Sequence, residues 1–213
     1  MSRLSPVIAI AALACLSTLG LAACGDKSFS PGTANSGAGG QAAKSVASTE
    51  DDKLQNLSQE LLDKLKDTKN EAEAATLEEE IWDAWLVSGS ATVDTLMKRG
   101  LDYQQGEDLE GARDAFDKAI AIKPDYAEAW NRRAVLFFND GKYDEAIADL
   151  ESAIRLEPRH FGAWIGLAMI FESVDRPEAA LKAYEKALAI HPLAQAAVQG
   201  KKRLERAVNG SAL

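Results

Sequence analysis

Cysteine, histidine and positive charge are all scarce in this chain, and each shortage removes a class of function. The two cysteines, Cys15 and Cys24, both lie at the extreme N-terminal end. No disulfide framework can staple the rest of the chain, and no Cys-x-x-Cys pair offers a zinc or redox site. The two histidines, His160 and His191, share no helix face and have no cysteine nearby, so we draw no metal site from them. Placed beside helix-ending turns, they are expected to face solvent. Acidic residues outnumber basic ones by 33 to 24, a net charge of −9, which argues against nucleic acid because phosphate neutralisation needs a basic surface. There is no G-x-S-x-G nucleophile motif, and the GAGG at 37–40 follows no strand that could make it a phosphate loop. The run Glu78-Glu79-Glu80 reads as the solvated face of an amphipathic helix. These absences lead us to expect no catalytic residue, no metal, no cofactor and no small-molecule substrate: not an enzyme.

The N-terminal segment 1–23 stands apart from the rest. Arg3 precedes an uncharged stretch whose apolar core, Val7 to Leu19, is shorter than the roughly 20 residues of a comfortable membrane span. Positive start, short apolar run and small residues before a boundary are marks of an export signal, with an uncleaved anchor as the alternative. Leu21-Ala22-Ala23-Cys24 resembles the lipobox of bacterial lipoproteins, whereas Cys15, after Ala12-Leu13-Ala14, is a poorer match. The resemblance implies lipidation of the Cys24 sulfur, cleavage before it, and acylation of the new amino group. Residues 24–50 then read as the lipidated cysteine and a flexible tether, because 25–50 are rich in Gly, Ser and Ala with almost nothing large and apolar.

From residue 51 onward the apolar residues take helical spacing. Leu54, Leu57, Leu61, Leu62 and Leu65 form one stripe, and Leu77, Ile81, Trp82 and Trp85 another before Ser88-Gly89-Ser90. No sustained period-two run or strand pair appears. The expected fold class is all-α. Segment 51–92 is assigned as a helical hairpin, a degenerate repeat or cap.

Beyond it the sequence repeats. Pro124, Pro158 and Pro192 are 34 residues apart, as are Trp130 and Trp164, Ala112, Ala146 and Ala180, and Ala119, Ala153 and Ala187. This resembles the tetratricopeptide repeat (TPR), a helix-turn-helix unit of 34 residues that stacks into a solenoid. The units are 93–126, 127–160 and 161–194, followed by a capping helix and tail at 195–213. Recurrent Ala lets the two helices of a unit approach closely, and Pro ends the second helix. Departures include Arg99 and Arg133 where Leu is usual, a turn glycine displaced to Gly106 in the first unit, and Asp175 in its place in the third.

In TPR proteins the groove is lined by positions 2, 5, 9 and 12 of each first helix. Carried over residue by residue, these include Asn131 together with Met97, Leu101, Val135, Phe138, Ile165 and Met169, the last six an apolar strip suited to a helical or extended peptide. Some of them could instead pack against the 51–88 helices or the capping helix. Asn131 and Arg132 only partly echo the charged clamp that some family members use for a peptide carboxylate. The resemblance thus implies a membrane-anchored periplasmic scaffold, bound to the membrane through the lipid on Cys24 and to an envelope protein through the groove. A self-associating structural envelope protein or a hydrolase accessory are the alternatives. In the lipoproteins this chain resembles, Asp directly after the lipidated cysteine favours the inner membrane; here Gly25 holds that place and Asp26 is one later, so the resemblance implies the outer membrane.

Overall fold

The computed structural model describes residues 56–210, with side chains up to Ala207. The signal segment, Cys24, the tether and the tail 211–213 lie outside the described residues. Among the described residues there are helices and no strands, and no helix is long and apolar enough to cross a membrane.

A first hairpin pairs α1 (56–67) with α2 (Glu71–Trp85). The break between them is set by Asn70, whose side chain accepts hydrogen bonds from the backbone N–H groups of Ala72 and Glu73. That is the usual work of an N-cap, and Glu71 and Glu73 in the first turn suit the positive end of the helix dipole. Leu61, Leu62 and Leu65 of α1 and Ala74, Leu77, Ile81 and Trp85 of α2 are buried together.

Three helix pairs follow: α3 (Ala91–Gln105) with α4 (Leu109–Ile122), α5 (Ala127–Asn139) with α6 (Tyr143–Leu156), and α7 (Phe161–Ser173) with α8 (Pro177–Ile190). The repeating alanines do what their size allows. Ala112, Ala146 and Ala180, and again Ala119, Ala153 and Ala187, have no solvent exposure at all, so backbones meet where a larger side chain would hold them apart. The turn inside each pair keeps one backbone shape despite its changing residues. Position 15 has positive φ in every unit: Glu107 at 61°, Gly141 at 73° and Asp175 at 55°. The left-handed residue of the first unit is therefore Glu107, one place beyond Gly106, whose own φ is −80°.

Arg133, one of the departures from the family pattern, ties units together. Its guanidinium binds Asp149 of α6 through two nitrogens at 2.7 Å and Asp117 of α4 at 2.6 Å, and lies 5.0 Å from the Trp130 ring centre. A planar donor fork can satisfy two carboxylates at once, which leucine cannot.

The last helix, α9 (Gln195–Gly210), stacks on α8 as a further first helix would. Gly200 makes this possible, since a Cβ there would sit 2.3 Å from the Tyr184 ring. Arg203 of α9 then clasps Glu172 of α7 at 2.6 Å, and the same carboxylate accepts the Tyr184 hydroxyl.

The α1–α2 hairpin lies in the segment 51–92 read from the sequence as a degenerate repeat or cap. Its buried side chains cluster with Phe161, Ile165, Ile190 and Leu193, which belong to the third unit and its exit turn. The chain folds back over the repeats, because the large rings on α2 find aromatic partners there.

Candidate functional site

The face formed by α3, α5 and α7 carries the family's groove positions, and the structure divides it in two. Leu101, Val135, Phe138 and Met169 remain half-exposed along successive units. Phe138 is steadied by Tyr143, with ring centres 5.9 Å apart. These four belong to the later positions, 9 and 12, of their helices.

The earlier positions are covered. Met97 is 1% exposed and lies in a cluster with Val93, Phe116, Tyr126 and Ala129, so it is core and not groove lining. Asn131 is also buried, and Ile165 packs against the hairpin. The sequence-level alternative, packing on the chain's own flanking helices, holds for Ile165. For Met97 the cover is the first unit and the start of α5.

Beneath the hairpin lies a buried polar cluster. Glu128, 1% exposed, receives Arg132 Nε on one oxygen and Asn131 Nδ2 (3.1 Å) and His160 Nε2 (2.9 Å) on the other. Burial works against its charge, but the Arg132 cation and the hydrogen bonds from His160 and Arg132 hold its carboxyl below the usual range. His160 caps α7: its Nδ1 accepts the Ala163 N–H at 3.0 Å, which leaves Nε2 carrying the hydrogen donated to Glu128. The Asn131–Arg132 pair is thus engaged with the chain's own carboxylate and is not open to a peptide terminus.

Both histidines are buried, against the expectation of solvent-facing turn residues. Trp85 lies flat on His160 with centroids 4.1 Å apart, and Trp82 meets His160 and Phe161 edge-on at 5.6 and 5.4 Å. Arg132 sits 5.4 Å over Trp82. Gly162 makes room for this ring, since a Cβ there would stand 2.6 Å from it. Tyr126 donates its hydroxyl to the Trp85 carbonyl at 2.7 Å, and burial raises that hydroxyl's pKa. At the far end, Arg159 bridges Asp63 and Gln59 of α1. His191 faces Phe161 and stands 4.0 Å from Glu78, whose carboxyl is raised by burial. Burial also pushes the His191 imidazole down to about 4. The i, i+4 pair Glu128 and Arg132 was the one sequence signal of this cluster. Its links to α2 span too many residues for any spacing rule.

Among the described residues no three His, Cys, Asp or Glu side chains gather as a metal site.

Comparison with known proteins adds the family. Tetratricopeptide repeat models match residues 127–160 and 161–192, and a TPR repeat model matches residues 100–141. A TPR repeat-containing protein of Rhizobium etli is 40% identical over 92 residues, 43% of this chain and 45% of that protein. The chain thus covers less than half the length of this relative. Similar solved structures include the first TPR of Spaghetti (RPAP3) bound to an HSP90 peptide, with TM-score 0.54, 22% identity, and coverage of 56% of this chain and 95% of that one. The Sgt2 TPR domain of Aspergillus fumigatus has TM-score 0.54 and 22% identity, covering 58% and 83%. The TPR2B domain of yeast Sti1 in complex with an Hsp70 peptide has TM-score 0.51 and 23% identity, covering 55% and 98%. The likeness to these structures is one of fold. The described residues form an all-α TPR solenoid, and the chain carries TPR repeats.

Proposed function

We propose that this protein is a scaffold that captures a helical or extended segment of an envelope protein, while lipid on Cys24 holds it to the periplasmic face of a bacterial membrane, the outer one by preference. The observation that carries the binding half is the open strip Leu101, Val135, Phe138 and Met169, apolar and half-exposed across three successive units. Such a strip suits side chains spaced along a peptide, and methionine adapts to their shapes. Two of the solved TPR structures of like fold hold peptides, of HSP90 and Hsp70. With Asn131 and Arg132 occupied by Glu128, an apolar segment fits this face better than an acidic terminus. The anchor rests on Leu21-Ala22-Ala23-Cys24 and the polar tether after it. Confinement to a surface raises effective concentration without any new contact, so recruitment is the mechanism and no chemical step is needed.

A photo-crosslinking residue placed at Phe138 in intact cells tests the strip. One discrete adduct that disappears with Val135→Glu, in a chain that keeps its helicity, is the expected outcome. Adducts only to a second copy of the chain favour a structural oligomer, and no adduct at all removes the reading. Cys24→Ala tests the anchor separately, with an uncleaved precursor as the expected product. Normal processing and membrane retention of that variant defeat the lipobox assignment.

A further inference from the structure

The covered half of the inner face holds a socket that α2 fills. The socket consists of Arg132 and Glu128 on α5, with His160, Phe161 and Gly162 at the start of α7. It receives two aromatic rings three residues apart on one helix. Trp85 stacks on His160 at 4.1 Å and Trp82 slots over Gly162 beneath Arg132. Gly162 and Glu128 occupy groove position 2 of their units, and Arg132 adjoins position 5, so the hairpin sits where a TPR ligand would.

The seam around the socket is imperfect in a way the solenoid is not. Three buried side-chain polar atoms lack a hydrogen-bond partner among the described residues: Trp85 Nε1 and both ring nitrogens of His191. All three lie between α2 and the repeats. Leaving a buried donor or acceptor unmade weakens the contact that buries it. Beside His191 the seam opens into a cleft of about 400 Å³ bordered by α2 and by Ile165 and Leu193. The surface of α2 turned from the socket is acidic and exposed, with Glu79, Glu80 and Asp83.

We propose that α2 is a built-in ligand. The socket recognises an amphipathic helix of a partner that presents two aromatic side chains three residues apart, and that helix displaces the hairpin. This rests on the peptide-binding reading and goes beyond it, to the covered positions of the same face. The tether through residues 86–90 gives α2 a high effective concentration, so an outside helix sees only the fraction of chains whose socket is open, and its apparent affinity falls by that fraction.

The test uses a labelled peptide of residues 70–87 as the probe, with fluorescence anisotropy on the full chain. Trp82→Ala with Trp85→Ala vacates the socket and is expected to bind the peptide at least about tenfold more tightly than the unaltered chain. Adding Gly162→Leu, whose side chain fills the vacated space, is expected to abolish the gain. Equal affinity for the unaltered and the doubly substituted chain overturns the proposal, as does a gain that Gly162→Leu leaves intact. If the double variant loses helicity, hydrogen exchange on the unaltered chain decides. Saturating peptide should speed exchange in α2 and leave α5 and α7 protected, and unchanged exchange in α2 overturns it. Capture at Phe138 that persists while the peptide never binds removes the built-in ligand and leaves the scaffold standing.

Discussion

Two kinds of seam hold this molecule together, and they differ in what fills them. Between and within repeats, helices meet through alanines with zero exposure, and charges such as Arg133 with Asp117 and Asp149 are fully paired. Between hairpin and repeats, large rings and nitrogens left without partners share the contact with a few paired groups, Tyr126 with the Trp85 carbonyl and Arg159 with Asp63 and Gln59. Close-packed small residues leave no room for a second arrangement. Aromatic rings set into a socket can leave as a unit. On the proposal above, the first seam is a permanent frame and the second an exchangeable cover.

The frame should break first and hardest. Phe116 is fully buried in the first unit, and Phe116→Ala should cost about 3–5 kcal/mol of stability in urea unfolding. A loss under about 1 kcal/mol would mean that the frame is looser than its packing. Glu128→Ala should come next, at about 2–3 kcal/mol, because Arg132 loses its carboxylate partner beneath the hairpin. That value falls short of a fully buried pair because Arg132 retains some solvent access. Glu128→Gln, which keeps an acceptor for His160 or Arg132, should recover part of it.

The cover should respond to pH before the frame does. Burial lowers the His191 imidazole to about 4 in the folded chain against about 6.5 when unfolded. The unfolded or opened state therefore binds the extra proton, so stability is full above about pH 6.5 and declines as pH falls toward 4. Glu78, facing His191 with a raised pKa, opposes part of this loss by favouring its own protonated form in the fold. Glu128, held low, gives up its contribution only further down, as pH drops through its folded value. The expected result is a drop of a few degrees in Tm between pH 7 and 5, accompanied by faster hydrogen exchange in α2. His191→Phe should flatten that dependence, and an unchanged slope would locate the titration elsewhere.

The frame was legible in the sequence and the cover was not, for one physical reason. Alanines and prolines at a spacing of 34 report contacts inside a unit and between neighbours, which recur at fixed separations. Hence the helices of the repeats could be placed, while the groove positions Leu101, Val135, Phe138 and Met169 came only from the family resemblance. The hairpin docks through pairs such as Gln59 with Glu157, 98 residues apart, and no periodicity encodes that. The same blindness put His160 and His191 in solvent and Met97 in the groove. A histidine beside a turn reads as exposed until an aromatic helix is laid over it, and position 5 reads as groove until neighbouring residues cover it.

The smallest effect bears on the turns inside the units, away from the hairpin's contacts. Position 15 must be left-handed in all three units, yet only the second has glycine there. A side chain in that conformation costs about 1–2 kcal/mol, less for Asp, which adopts it more readily. Glycine gives back part of the gain through the greater freedom of the unfolded chain. Glu107→Gly should therefore stabilise the protein by about 0.5–1 kcal/mol, and Asp175→Gly by less. Gly141→Ala should lose a comparable amount. Because none of these residues touches the socket, hydrogen exchange in α2 should stay at its original rate while the repeats become harder to unfold. If Glu107→Gly slows exchange in α2 as much as in α3, the two seams unfold as one unit, and the division into frame and cover fails.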